Sequence, residues 1–335
     1  MATVAVHAPA NAVQSHHYDR RAAMPLPNLF VIGAPKCGTT SLHRYLDQHP
    51  RISMSAVKEP KYFLTDGTRP HHRGPDDERA DRAYVVKRAT YEALFEYPPG
   101  PGGYAGESTP YYLWDPDAAP RIRALVPEAR LVAVLREPTL RAYSNWADLR
   151  EQGRENLDFA SAMAAEEERR RLGWEPFWFY RELGLYGKQL TRLLTVFPRE
   201  QVSVVLADDL AEAPDPTVAE IFAFLGLGPL EHPLIEARLN QTMYTPVDRT
   251  SRLLETLFER GQRARPVVPR PVRRIAREVV RRRLRSQATS GSHGSRLRHE
   301  YVEVFTEDRR VLEGLGIDVT RWDHHEHDLQ GDVER

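Results

Sequence analysis

Cysteine is nearly absent from this chain: Cys37 stands alone among 335 residues. That excludes an internal disulfide and suits a reducing compartment. A net charge is missing too. Lysine plus arginine and aspartate plus glutamate each total 47, so no global field draws the chain to nucleic acid or to an anionic membrane. No apolar run is long enough to cross a bilayer. Residues Met1 to Pro25 mix Ala, His, Asp and Arg without the continuous apolar stretch of a secretory signal. They read as a flexible lead-in to a cytoplasmic protein.

Two nucleotide-binding fingerprints are also lacking. There is no G-x-G-x-x-G, which a dinucleotide fold would carry. A Walker loop needs lysine directly after its second glycine and a hydroxyl next to it for Mg²⁺. Here Gly33 and Gly38 have that spacing, but Thr39 occupies the lysine position and the lysine, Lys36, sits inside the loop.

What is present is the run Gly33-Ala34-Pro35-Lys36-Cys37-Gly38-Thr39-Thr40-Ser41, between a strand-like segment (Asn28 to Ile32) and a helix-like one (Ser41 to Leu46). Leu42, Tyr45 and Leu46 share a face at helical spacing. A strand, a glycine-containing turn and a helix start form an anion cradle, because first-turn N–H groups have no partner within the helix. An internal lysine followed by Thr-Thr-Ser suits a phosphate ester that needs no metal. The bland alternative is a core strand, a turn and a capped helix with an exposed lysine.

Three further β-prone runs, Tyr104 to Glu107, Arg130 to Leu135 and Gln201 to Leu206, alternate with helical patterns at Ala118 to Leu125, Leu140 to Arg150, Phe159 to Arg171, Tyr180 to Phe197 and Val218 to Leu225. Such alternation implies βαβ units and a mainly parallel sheet. Ligands of such sheets sit beyond the carboxyl ends of the strands, where Lys36, Glu107 and Arg136 fall. The fold class is therefore α/β: a P-loop-like central parallel β-sheet flanked by helices, with a helical, arginine-rich C-terminal extension. Residues 26–240 form the core. Residues 241–322 belong to the same domain, with a mobile loop near 286–295 and a helix from Arg296 to Leu315, and 323–335 form a flexible tail.

Arg136 follows a strand directly, and Pro138 suits the first turn of the next helix, which carries Ser144. A guanidinium at a strand end and a hydroxyl two turns into a helix converge on one phosphate, the arginine by charge-assisted bonds. A structural ion pair for Arg136 and a solvent-facing Ser144 are the alternative.

Taken in order, APKCGTTSL at 34–42, KEPKYF at 58–63, GESTPYYL at 106–113, LREPTLRAYSNW at 135–146, YGKQLTRLLTVFP at 186–198, VSVVLADDL at 202–210 and FLGL at 224–227 form a series. It resembles sulfotransferases that use 3′-phosphoadenosine 5′-phosphosulfate (PAPS), in the branch shared by bacterial enzymes and the heparan sulfate N- and 3-O-sulfotransferases. The resemblance spans roughly 28–240, with a weaker echo at 296–322. It implies that Lys36, Cys37, Gly38, Thr39, Thr40 and Ser41 bind the 5′-phosphosulfate, and Arg136 and Ser144 the 3′-phosphate. Arg296 matches the family's C-terminal nucleotide loop loosely. It also implies Glu59 as general base, Lys36 as the charge-stabilising catalytic residue, and Lys58, Lys61, Glu107 and Ser108 on the acceptor side. PAPS would be the co-substrate, with no metal, and the acceptor a hydroxyl or amine of a carbohydrate, glycolipid or secondary metabolite. Ser108 is a departure, since the carbohydrate branch often has lysine there. A carboxylate paired with Lys61 is the bland alternative for Glu59.

Other residues compete for attention. Cys37 sits near a helix start, a setting that lowers a thiol pKa, but no base is placed beside it by sequence. His43 and His49 rank below Glu59 as bases for want of a spatial partner. His324, His325 and His327 read as a solvated tail. Tyr62, Phe63, Tyr111, Tyr112, Trp114, Trp174, Trp178 and Tyr180 serve either as core or as acceptor walls. The arginine-rich 263–285 segment reads as a solvated helix over the core, or as a polyanion or peripheral membrane face. Two other functions compete: a kinase-like phosphotransferase needing ATP and Mg²⁺, and a non-catalytic polyanion-binding module.

Overall fold

The computed structural model describes residues 26–95, 100–232 and 291–323, and for 291–296 and 298 the backbone only. The flexible lead-in, the arginine-rich 263–285 segment, residues 286–290 of the expected loop and the three terminal histidines lie outside the described residues.

Five parallel strands form one sheet in the order β2-β3-β1-β4-β5: β1 (Leu29–Gly33), β2 (Ile52–Met54), β3 (Tyr104–Ser108), β4 (Arg130–Leu135) and β5 (Val202–Leu206). Every residue of β1 is buried, as a central strand covered by helices on both faces requires. Leu29 pairs with Gly106 of β3 on one side and Arg130 of β4 on the other. The ends of β3, β1 and β4 therefore emerge side by side. Ile52–Met54 adds an edge strand that the sequence reading lacked.

Numbering only helices of eight or more residues, α1 is Thr39–Leu46, α2 Ala118–Leu125, α3 Pro138–Glu151, α4 Tyr186–Leu194, α5 Pro214–Phe224 and α6 Gly291–Gly314. α1 buries Thr39, Leu42, Tyr45 and Leu46 against the sheet. α3 begins at Pro138, and the Glu137 carboxylate caps it by accepting from the N–H groups of Thr139 (3.0 Å) and Leu140 (2.7 Å). The single helix expected at Phe159 to Arg171 is two, Phe159–Ala164 and Glu166–Arg171. The Glu166 carboxylate turns inward there to accept from the N–H groups of Arg181 (2.5 Å) and Glu182 (3.0 Å).

The helix expected from Arg296 starts earlier, at Gly291, so 291–295 are helical rather than loop. It packs on α3 and α4, and Asp308 accepts from the N–H groups of Gly187 (2.7 Å) and Lys188 (2.8 Å) at the start of α4. Trp322, 4% exposed, closes the described chain against Tyr186. Asp323, expected in a flexible tail, is held by both terminal nitrogens of Arg309. Asp208 and Asp209 lie in the short helix Ala207–Glu212, where Asp209 pairs with Arg321.

Candidate active site

The 34–38 turn leaves β1 at the carboxyl edge of the sheet. Gly38 has φ +88°, a left-handed conformation that glycine adopts without steric cost. A Cβ there would meet nothing nearer than Leu210 at 3.7 Å, so conformation, not space, demands the glycine. The carbonyl of Gly38 receives the N–H groups of Ser41 (3.0 Å) and Leu42 (3.1 Å). Thr39 and Thr40 lie in the first turn of α1, where helix geometry supplies no acceptor for their N–H groups. Thr39 is buried; Thr40, Ser41 and Lys36 are half-buried.

Lys36 itself has φ +69°. Among the described residues four non-glycine residues have positive φ: Lys36, Glu59, Lys61 and Asp76. Three of these were nominated from the sequence. Such conformations cost energy and cluster at functional sites. The Lys36 ammonium lies 2.8 Å from Asp148 Oδ2 on α3. Ser144 is one turn before Asp148 and likewise half-buried, so loop and helix face each other around Lys36, Ser144 and Asp148.

Arg136 emerges half-buried from β4. The strands beneath it and Lys36 are neighbours, and Ala34 N–H, just past β1, donates to the Val134 carbonyl of β4 at 2.8 Å. Cys37 ties the turn to α4: its thiol donates to the Pro35 carbonyl at 3.7 Å and lies 3.6 Å from the Tyr186 hydroxyl. Burial pushes the Cys37 thiol pKa up, outweighing the Tyr186 hydrogen bond and the positive charges of Arg141 and Arg136. The lowered pKa suggested by its position near a helix start is thus corrected. Cys37 is a packed connector.

The KEPKYF segment runs along the end of β3. Glu59 N–H donates to the Ser108 carbonyl at 3.0 Å, and Lys58 Nζ contacts Glu59 Oε1 at 2.7 Å. Lys58, not Lys61, is the carboxylate's partner. Lys61 is 6% exposed, with Glu175 at 3.6 Å and the rings of Tyr84 and Tyr111 about its ammonium. It is turned into the protein, pinning this segment to the 175 region.

Glu107 is wholly buried and accepts hydrogen bonds from Tyr91 Oη (2.5 Å), Thr109 Oγ1 (2.7 Å) and Tyr112 Oη (2.9 Å). Burial pushes its pKa up to about 7 against those three hydroxyls, with the Glu59 charge adding to the rise. Its neighbour Ser108 is buried too, and Ser108 Oγ lies 2.9 Å from His43 Nδ1. His49 instead accepts from Arg51 N–H at 3.1 Å and faces the Gly228 carbonyl, as a structural residue would.

Of the aromatic candidates, Phe63, Tyr111, Tyr112, Trp178 and Tyr180 are buried core, whereas Tyr62, Trp114 and Trp174 are half-buried. Arg296 lies on α6 with its side chain outside the described residues. Sequence reasoning missed Asp148, Glu175 and Tyr91; each partners a nominated residue from a different element or loop. Glu137, at the start of Glu137-Pro138, was the one legible signal, a carboxylate just before a proline-initiated helix.

The five-stranded parallel sheet thus carries a non-Walker glycine turn after β1 and an arginine after β4. Residues 27–231 match the model of the Sulfotransferase family, and the chain belongs to that family. It is 29% identical over 264 residues to carbohydrate sulfotransferase 15 of Mus musculus, a match covering 65% of this chain and 46% of that protein. With the mouse bifunctional heparan sulfate N-deacetylase/N-sulfotransferase 3 it shares 30% identity over 216 residues, covering 61% of this chain and 23% of the relative. The chain thus spans less than half the length of these relatives. The crystal structure of a sulfotransferase from Alicyclobacillus acidocaldarius superposes with a TM-score of 0.58 at 36% identity, covering 69% of this chain and 91% of the other. Among the described residues no helix is long and apolar enough to cross a membrane.

Proposed function

We propose that this sulfotransferase uses PAPS and passes its sulfuryl group to a hydroxyl or amine of a carbohydrate-class acceptor, with glycolipids and secondary metabolites as further acceptor types. The observation that supports this reading is that Lys36 follows β1 and Arg136 follows β4, neighbouring strands of the sheet, with the Lys36 ammonium 2.8 Å from Asp148, one turn after Ser144 on α3. Two cationic positions at the ends of adjacent strands suit a nucleotide phosphorylated at both its 5′ and 3′ positions. The free first-turn N–H groups of Thr39 and Thr40 add an anion site beside Lys36.

In this reading the acceptor oxygen or nitrogen bonds to sulfur while the bond from sulfur to the bridging phosphate oxygen breaks, its electron pair leaving on the phosphate. The acceptor proton passes to Glu59. Lys36 and the loop N–H groups stabilise the charge that builds on the departing oxygen, which is where fixed charge contributes most to rate. Lys58 neutralises the Glu59 carboxylate before the acceptor arrives, and Ser108 and Glu107 support the strand end from inside. Arg296 belongs to this reading as a nucleotide contact, and Lys61 as a strut for the acceptor segment. Sulfuryl transfer, like phosphoryl transfer, is mostly positioning and charge stabilisation, and no divalent ion is part of the proposal. A cytoplasmic location and contact of the 263–285 segment with a membrane surface also belong to it.

The test is mass spectrometry of products after incubation with isotopically labelled PAPS and desulfated heparan sulfate, simple amino sugars or extract metabolites. Label transferred by the wild type and not by Glu59→Gln is the expected result. Transfer at an undiminished rate by Glu59→Gln would move the base elsewhere.

A further inference from the structure

His43 has the spatial partners that sequence alone did not give it. It sits on α1, three residues after Thr40 and four after Thr39, on the helix whose first turn is the anion cradle. Its Nδ1 is 2.9 Å from Ser108 Oγ. Ser55 and Ser108 bracket the Lys58–Glu59 loop. Ser55 N–H donates to the Gly106 carbonyl at 2.8 Å, and Glu59 N–H to the Ser108 carbonyl at 3.0 Å. Within the loop, Ser55 Oγ donates to the Val57 carbonyl at 3.0 Å. One imidazole thus reaches from α1 to the serine whose carbonyl holds the N–H of Glu59, itself at φ +59°.

We propose that His43 is a positioning residue, a clamp that holds the Lys58–Glu59 loop against the cradle helix and so fixes Glu59 relative to the sulfuryl donor. A left-handed glutamate relaxes readily to commoner backbone conformations unless its surroundings over-determine it. An error of about 1 Å in a reacting group costs on the order of 100-fold in rate. Ser108 gives the clamp its anchor, and a lysine at that position would offer the ring no hydroxyl.

The clamp works with a neutral ring. Burial lowers the His43 pKa, and Lys58 lowers it further, as does Arg44 from its own helix; Asp47 and the Ser55 backbone act in the opposite direction. Protonation places a second cation beside Lys58, which is itself in contact with Glu59. The working form is therefore lost on the acid side of histidine's ordinary range.

The catalytic part of this inference rests on the proposed function, and the experiment separates the two. In the full-length protein, His43→Ala, His43→Asn and Ser108→Ala are compared by amide hydrogen exchange, by calorimetry with adenosine 3′,5′-bisphosphate, and by turnover of labelled PAPS against desulfated heparan sulfate. Asparagine is the conservative variant, since its amide reaches the position of Nδ1 without titrating. In His43→Ala the Glu59 amide proton should exchange at least ~10-fold faster while β1 amides are unchanged. Nucleotide affinity should stay within ~2-fold and kcat fall at least ~10-fold, in keeping with a change that misplaces a base and leaves binding intact. His43→Asn should restore both Glu59 protection and kcat, and the acid limb of its pH–rate profile should lie at lower pH than that of the wild type. Unchanged Glu59 exchange in His43→Ala, or an asparagine variant no better than alanine, overturns the clamp. Clamp-dependent exchange in a wild type that binds no bisphosphate nucleotide would keep the clamp and sink the proposed function instead.

Discussion

Lys36 Nζ and Asp148 Oδ2 are 2.8 Å apart although 112 residues separate them, and this contact joins the anion loop after β1 to the helix after β4. Both side chains are about one-quarter exposed, 23% and 24%. The pair is therefore partly screened and contributes at most about 1 kcal/mol to stability. The contact serves placement: Asp148 holds the ammonium beside the turn of α3 that carries Ser144, where the proposed function needs it.

Lys36→Ala should accordingly reduce turnover by at least ~100-fold, the scale on which charge-stabilising groups act. Thermal unfolding should move little. Steady-state kinetics paired with a melting curve checks both. A large melting shift with a small kinetic loss would make Lys36 a structural residue.

Gly38→Ala tests the turn. The added methyl has room, with Leu210 at 3.7 Å, so the penalty is that of placing an L-residue at φ +88°, about 1–2 kcal/mol. Chemical denaturation should show that loss. Binding of adenosine 3′,5′-bisphosphate should weaken as well, because relief of the strain turns the Thr39 and Thr40 N–H groups away.

Glu107 gives the pH dependence a sign. Its pKa rises from 4.5 to about 7 on folding, so between those values the native state holds more protons than the unfolded one. Stability from this group is complete below pH 4.5 and is lost as pH rises through 7. Glu107→Gln, which keeps an acceptor for Tyr91 and Tyr112, should flatten this decline between pH 5 and pH 8. A melting series over that range reads it. An unaltered slope in the variant would assign the decline to another group.

Cys37 should resist thiol reagents in the folded protein and react only on unfolding, since burial holds its pKa up. Timed alkylation with and without denaturant measures this. Rapid labelling of the native protein would contradict the packing described.

Much of this was legible along the chain, because local patterns dictate local structure. The apolar run before Gly33, the glycine turn and the stripe of Leu42, Tyr45 and Leu46 fixed β1, the loop and α1. Pro138 marked the start of α3. Ile52–Met54 escaped because three residues are too few to show a period. The break at Ala165 escaped because nothing there disfavours helix; Glu166 turns inward for N–H groups fifteen and sixteen residues away. Candidate site residues could be named from the sequence, but their partners could not. Lys36 with Asp148, Lys61 with Glu175 and His43 with Ser108 are products of topology, and side-chain charge or hydroxyl content alone does not choose among the many candidates.

Calorimetry with adenosine 3′,5′-bisphosphate in the absence of divalent metal addresses the account most directly, using wild type, Lys36→Ala and Arg136→Ala. The wild type should bind without Mg²⁺, both variants should bind at least ~10-fold more weakly, and the Arg136→Ala loss should vanish with a nucleotide that lacks the 3′-phosphate. Binding of ATP only with Mg²⁺, and none of the bisphosphate by the wild type, would contradict the account.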